Sequence, residues 1–339
     1  MDYTTSMAYT PIDPWGTSAM SQTVINNRYE IIQTLGVGGM SAVFEAHDRV
    51  RNQSVALKVL RVGDSLQSEP SETKSKVETF FKREARALAK LNHDSIPKVF
   101  DYSDDNHDPA YISMERIDGL TLSNCLKPNT PLPIPLILSI LLRISEALAH
   151  AHSHGLLHRD IKPENIMLTP KGRIVLVDFG LTRGITSDIL GKTVSGGRSG
   201  IFGSLEFLSP EQIADEPVSL PSDVFSLGSL AYLLTTGDSA FKHRNPADLL
   251  RSILNTDFLP AETLRADIPG GLQKLIESCL VGSPDERTTA FAITQKLQSA
   301  MARWNTSPEE QVIQWLKQLN HNDSDLEKTS SPNMTDPGE

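Results

Sequence analysis

Residues 158–165 read HRDIKPEN, and residues 178–180 read DFG. This short span places two carboxylates and one amide, Asp160, Asp178 and Asn165, beside the cations Arg159 and Lys162. Carboxylate and amide oxygens are ligands that Mg²⁺ accepts, and substrate phosphates commonly complete the shell of that ion. One carboxylate can in addition accept a proton from a hydroxyl group. The span therefore predicts a site where a metal ion, phosphate oxygens and a hydroxyl nucleophile meet.

The residues before DFG predict how the second acid is presented. The stretch RIVLVDFG (173–180) is rich in β-branched residues, which favours a strand that ends at Asp178. The carboxylate then emerges at a strand end beside a glycine.

Two motifs nearer the amino terminus also suit phosphate. GVGGMSAV (36–43) lies between two predicted strands, and glycines let backbone amides approach a phosphate because no Cβ intrudes. A glycine-rich hairpin turn without a ligand is an equally good interpretation. VALKVL (55–60) alternates, so Lys58 shares a strand face with Ala56 and Leu60. Its ammonium either reaches water along this surface or meets a phosphate and a carboxylate.

A predicted helix over residues 71–91 offers that carboxylate. Its apolar stripe contains Val77, Phe81, Leu88 and Leu91. Glu84 interrupts the stripe, and an inward-pointing carboxylate needs a partner, for which Lys58 is the natural candidate. The alternative is that Glu84 lies at the helix edge in solvent.

The order of these patterns predicts an α+β fold with two lobes. Residues 28–116 form a small antiparallel β-rich lobe with one helix, and residues 117–301 form a larger, mainly helical lobe. Residues 135–154 predict a helix closed by Gly155, and residues 222–237 predict a buried helix that is apolar on almost every face.

The two ends of the chain differ from this body. Residues 1–27 and 321–339 are polar and aperiodic, so they are predicted to be disordered. Residues 302–320 predict a C-terminal helix that begins with a capping box formed by Ser307 and Glu310.

The composition argues against several kinds of partner and site. The 339 residues carry a net charge of −10 and no strongly basic stretch, which argues against nucleic-acid binding. Two distant cysteines, Cys125 and Cys279, predict neither a disulfide framework nor a zinc site. The most apolar run, residues 132–142, is short for a membrane span. We expect a cytoplasmic protein that does not contact a membrane.

Together the motifs resemble the eukaryotic-type Ser/Thr protein kinases, over residues 29–301 and in the order of that family. SPE (209–211), SDVFSLG (222–228) and DER (285–287) match as well, and Arg287 is expected to pair with Glu211. The sequences of GVGGMSAV and LSPEQ are most similar to those of bacterial members. The resemblance implies the two-lobed protein kinase fold, in which the helix containing Glu84 is regulatory.

The resemblance also implies ATP and a divalent ion, Mg²⁺ or Mn²⁺, as cofactors. Lys58 would hold the α and β phosphates while paired to Glu84, and Asn165 and Asp178 would bind the metal. Asp160 would accept the proton of the substrate hydroxyl, and Lys162 would steady the γ phosphate. The implied nucleotide-binding residues are Leu35, Gly36, Val37, Gly38, Gly39, Val43, Ala56, Lys58, Met114, Glu115, Ile117 and Met167.

Substrates and regulation follow from the same likeness. Lys162 two residues after Asp160 is the form found in kinases that act on Ser or Thr of proteins. Arg159 would form an ion pair with a phosphorylated residue of the activation loop, because a phosphate offers about −1.5 to −2 charges for pairing. The candidates are Thr193, Ser195 and Ser199, and a solvated loop without phosphate is the alternative.

Two other functions stay open from the sequence. Ser41, Ser204 and Phe207 depart from the usual family residues, which leaves room for a pseudokinase or regulatory scaffold with little turnover. Transfer to a small molecule is the second alternative, against which the SPE segment and the long loop 181–208 argue. The sequence leaves the oligomeric state open.

Overall fold

The computed structural model describes residues 23–38, 40–61, 71–104, 109–179, 205–243, 245–303 and 307–329. The chain divides into two compact units. Among the described residues, the first unit contains those up to Ala89 together with Lys98–Arg116, and the second contains Lys90–Pro97 and those from Ile117 onward. The antiparallel sheet of the first unit and the helices of the second confirm the predicted fold class.

The first unit is built on a six-stranded sheet whose strands pair antiparallel in the order β1-β2-β3-β4-β6-β5. The strands are β1 (Val24–Ile25), β2 (Tyr29–Val37), β3 (Ser41–Asp48), β4 (Gln53–Leu60), β5 (Val99–Tyr102) and β6 (Tyr111–Glu115).

The two faces of this sheet differ in chemistry. Alternate residues of β3 and β4 enter one apolar cluster, which includes Ala42, Phe44, Ala46, Val55, Leu57 and Val59. Side chains of directly opposed residues share a face, and the ladder opposes Val43 to Lys58 and Glu45 to Ala56. We call the side of the sheet that carries Val43, Glu45, Ala56 and Lys58 the Lys58 face.

The helix of the first unit is α1 (Ser71–Leu88). Val77, Phe81 and Leu88 are buried as the stripe predicts, and the helix ends three residues before the predicted limit. Lys82, which the periodicity places off the stripe, is only 6% exposed. Its Nζ lies 2.6 Å from Glu78 Oε1, so the buried ammonium is paired one turn away.

The compact units and the predicted lobes assign residues 90–97 differently. Residues 90–97 belong to the second unit rather than to the first. The amide of Leu176 donates to the carbonyl of Ser95 at 2.9 Å, and Arg173 Nε donates to the carbonyl of Asp94. Backbone bonds to a later part of the chain therefore decide where this segment packs.

The second unit combines helices with a small sheet. The helices are α2 (Leu122–Cys125), α3 (Ile134–Ser153), α4 (Pro210–Ile213), α5 (Leu220–Thr236), α6 (Pro246–Leu254), α7 (Ala261–Leu264), α8 (Gly270–Cys279), α9 (Ala290–Met301) and α10 (Pro308–Thr329). The sheet pairs β7 (Leu120–Thr121), β8 (Ile166–Leu168) and β9 (Ile174–Leu176) antiparallel in that order.

Helices α3 and α5 form the core of this unit. Both end at glycines in the left-handed region, Gly155 with φ of 70° and Gly237 with φ of 78°. Among the described residues, α3 is the one helix long and apolar enough, by length and composition, to cross a membrane. Because 72% of its apolar window is buried among the other helices, α3 serves as a core helix.

Helix α10 packs on α3. The predicted capping box is present, because Glu310 N donates to Ser307 Oγ at 3.1 Å and Ser307 N donates to Glu310 Oε2 at 3.0 Å. Val312 and Trp315 are buried. The helix continues to Thr329, past residue 320, where the sequence pattern ends it and predicts a disordered tail.

Candidate active site

Three of the residues predicted to do chemistry meet in the loop before β8. Lys162 Nζ lies 3.0 Å from Asp160 Oδ2. Asn165 Nδ2 donates to the same Oδ2 at 3.0 Å and to the carbonyl of Asp160 at 2.7 Å. Asn165 is only 6% exposed, because it closes the short 3₁₀ turn Pro163–Asn165 directly before β8. The loop thus holds the Asp160 carboxylate by two donors.

The orientation of Asn165 matters for a metal ion. Its amide nitrogen is committed to Asp160, so the amide oxygen Oδ1 is the atom that can coordinate a cation. This oxygen and a carboxylate fit the ligand preference of Mg²⁺, which uses few protein ligands and relies on phosphate oxygens and water. Among the described residues no group of three or more His, Cys, Asp or Glu could hold a metal by itself.

Asp178 follows β9 by two residues. Its backbone is in the left-handed region, with φ of 59°, and its side chain is exposed. The amide of the preceding Val177 donates to the carbonyl of Asn165 at 2.9 Å. This bond brings the segment that carries Asp178 next to the loop that carries Asn165.

His158 forms hydrogen bonds with both segments. Its Nε2 donates to the carbonyl of Val177 at 3.0 Å, and its ring lies 4.6 Å from the ring of buried Phe179. Its Nδ1 accepts the amide of Asp160 at 3.3 Å. Burial lowers the pKa of His158, so the ring is neutral, as one donor and one acceptor nitrogen require. His158 is therefore a core residue that packs on Phe179.

Asp223 on α5 fixes the backbone of the loop. Its Oδ2 accepts the amide of His158 at 2.8 Å and Nε2 of His152 at 2.9 Å, while Oδ1 accepts the amide of Arg159 at 2.7 Å. Arg159 has φ of 66°, a conformation that a non-glycine residue adopts only when its surroundings hold it there. Asp223 therefore holds the strained residue next to Asp160.

The ionisation of Asp223 reflects two opposing effects. Burial alone raises the pKa of this carboxyl, but the hydrogen bond from His152, the electrostatic interaction with His152 and the backbone hydrogen bond from His158 outweigh burial, so that the net shift of the pKa is downward. Sequence reasoning missed this role, although SDVFSLG contains the residue. The available signal was a lone acid near the start of an otherwise apolar helix.

In the first unit, Lys58 and its neighbours form a continuous surface. Lys58 is 5% exposed and lies opposite Val43, while Ala56 lies opposite Met114. These four of the twelve predicted nucleotide-binding residues thus share the Lys58 face of the sheet. Glu84 on α1 is half-buried, and its pairing with Lys58 stays a prediction.

The glycine-rich motif forms the turn between β2 and β3. Gly36 opposes Val43 in the ladder, and the amide of Gly38 donates to the carbonyl of Ser41 at 2.8 Å. Leu35 and Val37 are exposed at 48% and 45%. Gly39 lies outside the described residues.

The remaining predicted site residues fall in both units. Glu115 ends β6 and its amide donates to the carbonyl of Lys98 at 2.8 Å, and Ile117 begins the second unit. Met167 lies on β8 opposite Val175. The three predicted phosphorylation sites, Thr193, Ser195 and Ser199, lie outside the described residues.

The predicted pair between Arg287 and Glu211 is confirmed. Nη1 and Nη2 of Arg287 lie 2.6 Å and 2.8 Å from the two carboxylate oxygens of Glu211, in a buried bidentate arrangement. The guanidinium also lies over the ring of Phe225, 5.0 Å from its centroid. This pair anchors the SPE segment to α5.

Comparisons with known proteins agree with the motifs. The family model for the protein kinase domain matches residues 29–298. The serine/threonine-protein kinase PknB of Mycolicibacterium smegmatis is 34% identical over 78% of this chain and 41% of its own length. PrkC of Bacillus subtilis, also a serine/threonine-protein kinase, is 31% identical over 78% of this chain and 39% of its own length.

A probable serine/threonine-protein kinase of Clostridium acetobutylicum is 34% identical over 79% of this chain and 39% of its own length. The chain thus spans about two fifths of the length of the curated relatives it matches. The predicted likeness to bacterial members is confirmed. The chain belongs to the protein kinase family, whose domain occupies residues 29–298.

Proposed function

We propose that this chain is an ATP-dependent Ser/Thr protein kinase that transfers the γ-phosphoryl group of Mg²⁺·ATP to hydroxyl groups of proteins. The observation that carries the proposal is the arrangement of Asp160, Lys162 and Asn165 in one loop, with both cationic and amide donors on a single carboxylate. The printed names of the bacterial relatives support it.

The residues divide the work as follows. Asp160 orients the incoming hydroxyl and accepts its proton, which is the task of a general base within hydrogen-bond reach. Lys162 lies beside that carboxylate and stabilises charge on the phosphoryl oxygens. Asn165 and Asp178 hold the metal, for which Mg²⁺ is the choice because of the hard oxygen ligands. A bound Mg²⁺ neutralises charge on the phosphate oxygens.

The first unit supplies the nucleotide contacts in this proposal. Lys58 holds the α and β phosphates and Glu84 positions its ammonium, while Ala56, Val43 and the backbone of residues 115–117 receive the base. Catalysis of this kind is mostly positioning and electrostatic stabilisation, since the protein makes no covalent bond to the phosphoryl group.

The wider setting belongs to the proposal as well. We place the chain in the cytoplasm, acting on protein substrates and on its own activation loop, without nucleic acid or membrane as a partner. The net charge of −10 supports the exclusion of nucleic acid. Nothing in the comparisons favours the alternative of a pseudokinase scaffold.

Phosphate transfer from labelled ATP tests the proposal. The purified chain is incubated with Mg²⁺, γ-labelled ATP and a generic basic protein, beside the variants Asp160→Asn and Lys58→Met. Loss of the base or of phosphate positioning is expected to lower transfer by roughly 10²–10⁴-fold. Removal of the metal by a chelator should abolish it, and Mn²⁺ is tested as a replacement.

Two readouts make the result decisive. Circular dichroism must show that both variants are folded, and mass spectrometry of the wild-type chain should find phosphate on Ser or Thr. Equal labelling by wild type and folded Asp160→Asn would refute the proposal. Consumption of ATP with sugars or aminoglycosides but not with protein would favour a small-molecule substrate.

A further inference from the structure

One ion pair crosses the sheet of the first unit. Arg116 is the first residue after β6, and its Nε lies 3.1 Å from Oε1 of Glu45 on β3. Strand β4 lies between β3 and β6 in the sheet. Because adjacent strands are about 4.8 Å apart, the side chains of Arg116 and Glu45 together bridge roughly two strand spacings.

Glu45 is held as a fixed anchor. It is only 9% exposed, although it carries a carboxylate. Gln33 Nε2 donates to its Oε2 at 2.7 Å, and Ser54 Oγ donates to its Oε1 at 2.8 Å. The hydrogen bond from Gln33 is the largest of several effects that lower the pKa of Glu45, with Ser54 and Arg116 adding to it against the opposing effect of burial. The group is therefore an ionised carboxylate with a defined position.

The pair lies on the surface already assigned to the nucleotide. Glu45 stands opposite Ala56, two residues from Val43, on the Lys58 face. Arg116 stands between Glu115 and Ile117, whose backbone groups are expected to meet the base. The pairing of β4 with β6 ends at Val55 and Glu115, so Arg116 follows the last ladder pair of that strand.

We propose that Glu45 and Arg116 are positioning residues for the nucleotide base. By binding the Arg116 side chain, Glu45 fixes the backbone directly after Glu115, where the pairing of β4 with β6 has ended. Neither side chain touches the nucleotide in this arrangement. The inference rests on the proposed kinase function and adds two residues that position its nucleotide contacts.

The physical reason is preorganisation. A segment that is already in its binding conformation loses less conformational freedom when a ligand binds, so affinity rises without a new contact. The pair should therefore affect how tightly the nucleotide binds rather than how fast the bound phosphoryl group transfers. A pair that only stabilised the sheet would lower thermal stability and leave nucleotide affinity unchanged.

The primary test is Arg116→Gln, since this side chain is 34% exposed and its replacement should not disturb the core. The KM for ATP should rise about two- to fivefold, as expected for loss of one partly exposed charged contact, while kcat stays within about twofold. The affinity for a fluorescent ADP analogue, measured without protein substrate, should fall by the same factor. The KM for the protein substrate should not change.

A double-mutant cycle tests whether the two residues act through each other. Glu45→Gln keeps the length of the side chain, and combined with Arg116→Gln it should weaken ADP binding no further than Arg116→Gln alone. The matched control is Arg49→Gln, because Arg49 forms an exposed pair with Glu30 at 3.4 Å on the same sheet. This control should leave nucleotide affinity unchanged.

The outcomes of these experiments distinguish failure of the positioning role from failure of the proposed kinase function. If wild type neither binds ADP nor transfers phosphate, the kinase proposal and this inference both fail. If wild type does both and Arg116→Gln binds ADP equally well, only the positioning role is refuted. A variant that melts earlier while retaining wild-type KM would likewise overturn the inference, since the pair would then be structural.

Discussion

Replacing Asp223 by asparagine should loosen the loop that carries Asp160. The carboxylate accepts three N–H groups, from His158, Arg159 and His152, at 2.7 to 2.9 Å, and is 1% exposed. In asparagine one of the two oxygens becomes an NH₂ donor. Whichever side the NH₂ takes, it faces at least one N–H group, so at least one bond is lost and buried donors are left unsatisfied.

The magnitude follows from these bonds. A hydrogen bond to a charged group contributes about 1.5–3 kcal/mol, and an unsatisfied buried donor costs about 1–3 kcal/mol. Losing one or two of the three bonds should lower the free energy of unfolding by roughly 2–5 kcal/mol. Domains of this kind have about 5–15 kcal/mol in total, so the variant should still fold at low temperature.

The loss of activity should exceed the loss of stability. Once Asp223 no longer holds the amide of Arg159, its left-handed backbone can relax and carry Asp160 away from its place. A displacement of about 1 Å can lower the rate about 10²-fold. We therefore expect phosphate transfer by folded Asp223→Asn to fall by roughly two orders of magnitude, with little change in ADP affinity.

Urea unfolding followed by circular dichroism gives the stability, and labelled ATP gives the rate. The control is Asp248→Asn, the same substitution at an exposed acid whose partner Arg251 lies 3.5 Å away. It should change stability by less than about 0.5 kcal/mol. If Asp223→Asn behaved like this control in both assays, the assigned role of the three hydrogen bonds would be wrong.

The other predictions concern stability. Glu211→Ala leaves the Arg287 guanidinium buried without its carboxylate and should destabilise the chain by about 3–5 kcal/mol; a urea midpoint equal to wild type would contradict the buried pair. Burial lowers the pKa of His158, His93 and His150, so these rings take up protons less readily in the folded chain than in the unfolded one. Their contribution to stability is present above pH of about 6.5 and is lost as the pH falls below it, so urea midpoints should decrease from pH 8 to pH 5. A flat profile would count against this assignment.

Much of the first unit could be predicted because its physics is local. Alternation along β4 identified the face that carries Lys58, and the stripe of α1 identified Val77 and Phe81 as buried. The capping box at Ser307 is likewise a contact between near neighbours. The pair of Glu211 and Arg287, 76 residues apart, was accessible only through the resemblance.

What the sequence did not predict depends on distant partners. The bond between His152 and Asp223 joins positions 71 residues apart, and neither position follows a periodic pattern. Strands of two or three residues, such as β7 and β8, are too short to show an alternation. The sequence of residues 90–97 does not indicate which unit they belong to, because this depends on hydrogen bonds from Leu176 and Arg173 to their carbonyl groups.

The last helix shows that an alignment boundary need not be a folding boundary. Glu309 places its backbone where a Cβ on Gly172 would have to lie, and Arg143 Nε donates to its carboxylate at 3.1 Å. Val312 and Trp315 are buried as well, so α10 covers apolar surface that the residues matched by the family model would otherwise expose to solvent. Truncating the chain where the family match ends would therefore remove α10 and expose apolar surface, which promotes aggregation. A truncation after the buried tryptophan would keep this surface covered.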